Sequence, residues 1–404
     1  MSGAATDQSS SQTPSSSPTL RRHTPRRLTV LLPVAGIAGL ALSGLLVLGL
    51  ATVRVGVLAV LIGVVAAVVP VLVVVAALLW IDRWEPEPAK LLLITFAWGA
   101  CVATLTALLV NDTAQAVGDL LLGTGNGGKV SALVSAPLVE EAVKAVPVIL
   151  LMLWRSHEFD GVVDGMVYAG LAAAGFAFTE NVYYFGRAFV EHGFGDGLSG
   201  GIFAAFILRG VLSPFAHPLF TVLIGIGVGL VARSNVRTAK ILVPLGAYVG
   251  AVLLHALWNA SATLGGATVF LNVYFLIMVP IFTAVVLIMV WQRRREQRII
   301  AATLPGMAEA GWIAPSEIPL LSDLSARRKW RKQARKESGR AAARAVGAYQ
   351  AAVTELAFAR RWEGSPASER MRTAYLSRRQ VELLAVLKQT RAEAVRLARG
   401  GTEG

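Results

Sequence analysis

Apolar residues run along this chain in long blocks rather than in alternation, and the charged residues gather between the blocks. The blocks fall at roughly 28–50, 56–81, 89–110, 130–154, 162–186, 213–233, 240–262 and 268–291. A helix of ~20 apolar residues crosses the hydrocarbon layer of a bilayer. A helix also satisfies its own backbone groups where no water can reach them. The pattern therefore predicts an all-α, polytopic membrane helix bundle of about eight spans. The stretch from Leu198 to Arg233 is too long for one straight crossing. Pro214 lacks a backbone donor and breaks helix geometry, which predicts an interfacial or re-entrant piece near 201–212 and a span after it.

The polar ends read differently. Residues 1–27 are rich in Ser, Thr, Pro and Gln and close on Arg21-Arg22-His23-Thr24-Pro25-Arg26-Arg27. Such a composition buries no core and predicts a disordered tail. Twin arginines before an apolar run are also the pattern of an export signal. Here the run is long enough to span and no small-residue cleavage site stands out, so a start-anchor helix is expected. The loop from Ile81 to Pro88 holds two Glu-Pro pairs and predicts a stiff turn with Trp84 at the membrane interface. After Trp291 the chain turns polar. Segments near 325–361 and 366–398, with Gly364 and Pro366 between them, predict two amphipathic helices folded back or lying on the membrane. The expected divisions are a tail at 1–27, a membrane domain at 28–292 and a basic cytoplasmic helical tail at 293–404.

Composition sharpens this picture. A 404-residue chain with 55% hydrophobic and 16% charged residues is too apolar for an ordinary soluble globule. Of the net charge of +13, nearly all lies after Trp291, where 23 Lys and Arg face 11 Asp and Glu. A basic tail beside a bilayer makes anionic lipid its expected partner; nucleic acid is not expected. Arginines and lysines cluster at 21–27, 233–240 and 293–298. Both termini inside would put all three clusters on the cytoplasmic face, as the positive-inside rule asks. Cys101 is the only cysteine, so a single chain builds neither a disulfide framework nor a cysteine metal site.

Ionisable groups inside apolar spans are costly and normally serve a purpose. Glu140 and Glu141 are adjacent, and Lys144 shares a helix face with Glu140. Asp164 with Tyr168, Glu180 with Asn181, His217 with Thr221 and His255 with Asn259 complete the set. At ~1.5 Å rise per residue, Glu140 and Glu141 lie ~15 Å below the outer end of their span, Glu180 and His255 ~10 Å, and His217 ~6 Å. Asp164 falls at the opposite end and reads as an anchor for its helix. Two imidazoles and several carboxylates at one depth suit a divalent metal, most naturally zinc. His217 and His255 are the expected ligands, with Glu180 or one of the pair Glu140/Glu141 as the third. The remaining member of the pair would be the general base. Lys144 would offset local negative charge, and Arg209 would do likewise or hold a substrate carbonyl. Asn259 would donate to an oxyanion.

Other chemistries fit the residues less well. The His-Glu-x-x-His spacing of soluble zinc proteases is absent. Gly197-Leu198-Ser199-Gly200 matches a short serine-protease motif, but 39 glycines make that match cheap and Ser199 lies in a polar loop. An aspartyl dyad would need two spanning aspartates. A proton or ion relay and a catalytically silent scaffold use the same residue types, yet no repeat pairing of the kind common in transporters is evident.

Glu140-Glu141-x-x-Lys144, Asp164-Gly165 with Tyr168 and Gly170, Phe176 to Asn181, His217 with Thr221 and His255 with Asn259 resemble the PrsW family of intramembrane metalloproteases. The Ile81 to Pro88 loop resembles the family's loop after its second span. The likeness covers about 55–290, and the family is in turn distantly similar to CAAX-type prenyl proteases. The resemblance implies a bacterial membrane protease that makes the first cut in a membrane-tethered anti-sigma factor on its extracytoplasmic side. It implies Glu140, Glu141, His217 and His255 as catalytic positions, with Glu180 close by. The basic tail is not part of the family core.

Overall fold

A computed structural model describes residues 28–155, 159, 161–195, 200–361 and 371–399. The tail at 1–27, the serine of the short glycine-serine motif (Ser199) and the Gly364/Pro366 joint lie outside the described residues.

All regular structure among the described residues is helical. The membrane body consists of α1 (Leu28–Val55), α2 (Val57–Ile81), α3 (Ala89–Leu122), α4 (Ala136–Trp154), α5 (Val162–His192), α6 (Gly201–Phe206), α7 (Ala216–Val231), α8 (Arg237–Leu264) and α9 (Gly266–Glu309). Among the described residues, seven helical stretches are long and apolar enough to cross a membrane, which makes the chain an integral membrane protein. The fourth expected span, at 130–154, is not among the seven: its helix, α4, is 19 residues long and carries Glu140, Glu141 and Lys144. The expected break before the sixth span is present. Ser213 leaves helical geometry (φ −126°, ψ 37°) just before Pro214, so α6 with its following π-helical turn, Ile207–Leu212, is separated from α7.

α5 forms the centre, flanked closely by α2 and α7. The reason lies in its side chains. Gly165, Gly170 and Gly175 stand among Ala169, Ala172, Ala173 and Ala174, all buried. Small residues let helix backbones approach where hydrophobicity alone gives no driving force between spans. A Cβ at Gly165 would strike the Gly225 carbonyl of α7, and one at Gly99 of α3 would strike the Ala172 carbonyl. Gly165→Val is accordingly expected to push α5 from α7 and to cost about 1–3 kcal/mol or more, read as a lowered unfolding temperature in detergent.

One expectation about the loop after α2 is corrected. Trp84 does not sit at the lipid interface: it is 2% exposed, packed with Ile300, Leu304 and Met307 of α9 and with tail residues such as Leu321. Arg327 lies over its ring, 4.9 Å from the centroid. The expected boundary at 292/293 falls inside an unbroken helix, Val279–Glu309. Beyond it, α10 (Leu324–Arg361) bends at Gly339, whose φ of 84° suits glycine, and α11 (Met371–Arg399) packs on α10. The Asp82–Pro88 loop is thus roofed by the tail. Asp82 accepts a hydrogen bond from the Glu87 amide (3.0 Å), and Glu87 accepts one from Tyr168 Oη (2.7 Å). Burial pushes the Glu87 carboxyl up to about 9. A raised pKa favours its neutral form at pH 7, which lowers the cost of covering this acidic seam.

Candidate active site

On α4 the helical period brings Glu140, Glu141 and Lys144 to one face, and all three are buried. Lys144 is fully enclosed. Its Nζ donates to Glu141 Oε1 (2.9 Å) and Glu140 Oε2 (3.3 Å) and lies 4.0 Å from the centroid of the Phe176 ring. A buried ammonium ion needs such partners, because leaving water is costly and only close opposite charge offsets it.

Three further helices complete the site. α5 brings Phe176 and Glu180; α7 brings His217 and Thr221; α8 brings His255. Thr221 Oγ1 donates to Glu141 Oε2 (2.7 Å), and His255 Nδ1 stands 3.0 Å from Glu141 Oε1. A carboxylate only accepts, so His255 carries its proton on Nδ1 and keeps the Nε2 lone pair open. That Nε2 lies 4.0 Å from Glu140 Oε2. His217 is fixed by the same logic. Lys144 Nζ, which only donates, sits 3.1 Å from Nδ1, so the proton is on Nε2, 2.8 Å from Glu180 Oε2. Glu180 also pairs with Arg209, whose Nε donates to Asn181 Oδ1 at 2.7 Å. Phe220 stacks on His255 with centroids 4.9 Å apart.

Glu140, His217 and His255 offer one ligand atom each, and these atoms lie within 4.8 Å of one another. One carboxylate and two imidazoles are the donor set of many three-ligand catalytic zinc sites. The Glu141–His255 pair adds the carboxylate that commonly orients a metal-binding imidazole. The residues present therefore fit a zinc ion. Both ring nitrogens of His217 are engaged, so a metal there would take the place of Lys144 or of Glu180.

Of the residues singled out from sequence, Glu140, Glu141, Lys144, Glu180, His217 and His255 converge. Glu180 reaches the cluster through His217 and stands outside the three-donor group. Asn259, one turn beyond His255, donates to the Ala132 carbonyl (2.9 Å). It lines the same cavity of about 660 Å³ as Glu140, Glu180, His217 and His255. Asp164 stays apart and accepts a hydrogen bond from the Gly161 amide at the start of α5 (2.9 Å). Sequence reasoning missed Asn111, whose Nδ2 donates to Glu140 Oε1 (3.3 Å). A third span ending near 110 leaves Asn111 in a loop, whereas α3 continues to Leu122. The available signal was a lone amide at the end of an apolar run.

With this geometry in view, the chain can be set beside known proteins. Residues 87–285 match the family model described as PrsW family intramembrane metalloprotease. A protein named Protease PrsW from Geobacillus kaustophilus is 29% identical over 144 residues, 36% of this chain and 55% of that protein. One of the same name from Oceanobacillus iheyensis is 30% identical over 122 residues, 30% of this chain and 49% of that protein. The chain thus spans about half the length of the curated relatives it matches. No solved structure matches it. The matched region contains Glu87, Glu140, Glu141, Glu180, His217 and His255, and these matches support a PrsW family assignment for residues 87–285.

Proposed function

We propose that the chain is a zinc-dependent endopeptidase that cleaves membrane-anchored proteins within or beside the bilayer. The observation that carries this reading is the meeting of Glu140, His217 and His255 within 4.8 Å, delivered by three separate helices into one cavity. Zinc held by these three side chains would supply Lewis acidity toward a peptide carbonyl and toward water. Glu141 holds His255 by its Nδ1 and is itself held by Thr221 and Lys144, so its part is positioning. Glu180, bonded to His217 and outside the donor group, is the carboxylate left to take a proton from an attacking water and return it to the leaving amine. Arg209 pairs with Glu180 and fixes it in place. Asn259 has a second amide proton beyond the one given to Ala132 and serves as an oxyanion donor.

The family likeness supports a membrane-tethered anti-sigma factor as substrate, and the loop charges support a bacterial cell membrane location with both termini cytoplasmic. Comparative membrane proteomics of wild type and Glu140→Gln tests the activity and names the substrate. A shortened single-span protein found only with the wild type is expected; identical profiles overturn the reading.

The tail supports a lipid partner. Arg331, Lys332, Arg335, Arg340 and Arg344 line a cleft of about 690 Å³ at the Gly339 bend. Each basic residue near an anionic surface contributes ~1 kcal/mol to attraction. Amide exchange across 324–361 is expected to slow in nanodiscs containing phosphatidylserine relative to phosphatidylcholine alone. Arg335→Ala with Arg340→Ala should remove most of that difference.

A further inference from the structure

The cavity that holds Glu140, His217 and His255 is closed on one side by α1. Gly44, Val47, Leu48, Ala51 and Arg54 line it, opposite Ala100, Cys101, Thr104 and Asn111 of α3. α1 is a peripheral helix, held far less firmly than the centre of the bundle. Only 6% of its apolar stretch is buried, against 72% for α5 and 61% for the stretch Gly201–Val231, and it is the least buried of the spanning stretches, below α9 at 11% and α8 at 17%. Val47 is the one core residue it supplies among the described residues, while Leu42, Leu45, Leu46 and Leu48 remain exposed. Its contacts at the cavity are made by small groups: Gly44 lies against Cys101, and Ala51 joins a cluster with Val182 and Phe185 of α5. Near the far end of α1, Arg54 pairs with Asp112 of α3 and lies 5.9 Å from the centroid of the Tyr183 ring. That pair is half open to solvent, with side chains 33% and 52% exposed, and pairs of this kind contribute little stability. α1 also lies outside the family-matched residues 87–285.

We propose that α1 is a movable wall and that the membrane helix of a substrate enters the site laterally, between α1 and α3. The inference rests on the protease reading for its purpose, but the motion can be measured without hydrolysis. The occupant is set by the wall itself. A segment that displaces α1 must meet lipid on one side and the same small-residue seam on the other, which suits a single apolar helix. Separating α1 from α3 exposes little core, because Val47 alone among the described residues leaves it. The Arg54–Asp112 pair acts as the latch.

The one native cysteine supplies the test. A Cβ built at Gly44 lies 3.9 Å from Cys101 Cβ and 3.0 Å from its sulfur. Cβ–Cβ distances in disulfides average about 3.8 Å, so Gly44→Cys should bond to Cys101 under mild oxidation and pin α1 to α3. The probe is a 22-residue Leu/Ala spanning peptide with a photoreactive group at its centre, reconstituted with the full chain in liposomes. Every sample carries Glu140→Gln, so that binding is read without cleavage. Photocrosslinks from the peptide to α3 are expected with the wild-type α1 and with reduced Gly44→Cys. They should fall at least tenfold on oxidation and return on reduction. Gly44→Cys with Cys101→Ser, which cannot lock, controls for the substitution itself. Asp112→Asn, which opens the latch, should raise crosslinking severalfold. Equal crosslinking in the locked and unlocked proteins overturns the gate. Normal gating of the peptide, with no substrate cleaved in cells by the chain that retains Glu140, would instead count against the protease reading.

Discussion

His255→Ala is expected to strip both the metal and the activity while leaving the bundle assembled. His255 is 2% exposed, with Nδ1 committed to Glu141 and Nε2 turned toward Glu140. Its removal deletes one of three donors and leaves only Glu140 and His217 in the group. The fold should persist, because Glu141 keeps Lys144 and Thr221 as partners. Zinc content measured on protein purified in detergent should drop from about one per chain to near zero. Cleavage of the substrate should fall by about three orders of magnitude, or ~4 kcal/mol of transition-state stabilisation. Glu141→Gln should do less. An amide in place of the carboxylate still occupies the space but orients His255 poorly, and losses of about 10–100-fold in metal affinity are typical for such partners. Undiminished zinc and cleavage in His255→Ala would remove this histidine from the site.

Lys144→Met is expected to produce the largest loss of stability among the site variants. Methionine matches the length of lysine but strands Glu140 and Glu141, both buried, without their shared cation. Breaking a buried pair from one side costs about 3–5 kcal/mol. The protein should still insert, since the change makes α4 more apolar, but it should unfold at lower temperature and lose activity. Adding Glu141→Gln should restore part of the stability, because one stranded charge is then gone; the double variant should be more stable than the sum of the single losses. Lys144→Arg should rescue poorly. The pocket closes fully around the ammonium group and sets Phe176 4.0 Å away, with no room for a planar fork. Thermal unfolding of the four proteins gives the coupling directly. Additive losses would mean that Lys144 and Glu141 act independently.

Much of the bundle is legible in the chain because run length and helical period are local properties. Long apolar blocks specify crossings whatever surrounds them, and three to four residues of spacing put Glu140, Glu141 and Lys144 on one face. Proline supplies the break before α7 for the same local reason. Asn111 escaped because span length does not say where a helix stops, and α3 runs on to Leu122. Trp84 misled because an aromatic residue at the end of a span usually meets the headgroups; here α9 and α10 cover it first.

By itself the sequence determined that this protein is helical, membrane-embedded and equipped with acids and imidazoles that must find an interior. Those statements follow from transfer free energies, which each residue carries with it. Tertiary structure alone decided that Glu140, and not Glu180, joins the two histidines, that Glu141 serves His255, and that α1 closes the cavity so lightly. The difference is one of range. These choices depend on sub-ångström approaches between helices far apart in the chain, set where Gly99 meets Ala172 and Gly165 meets Gly225, and no local pattern encodes such a meeting.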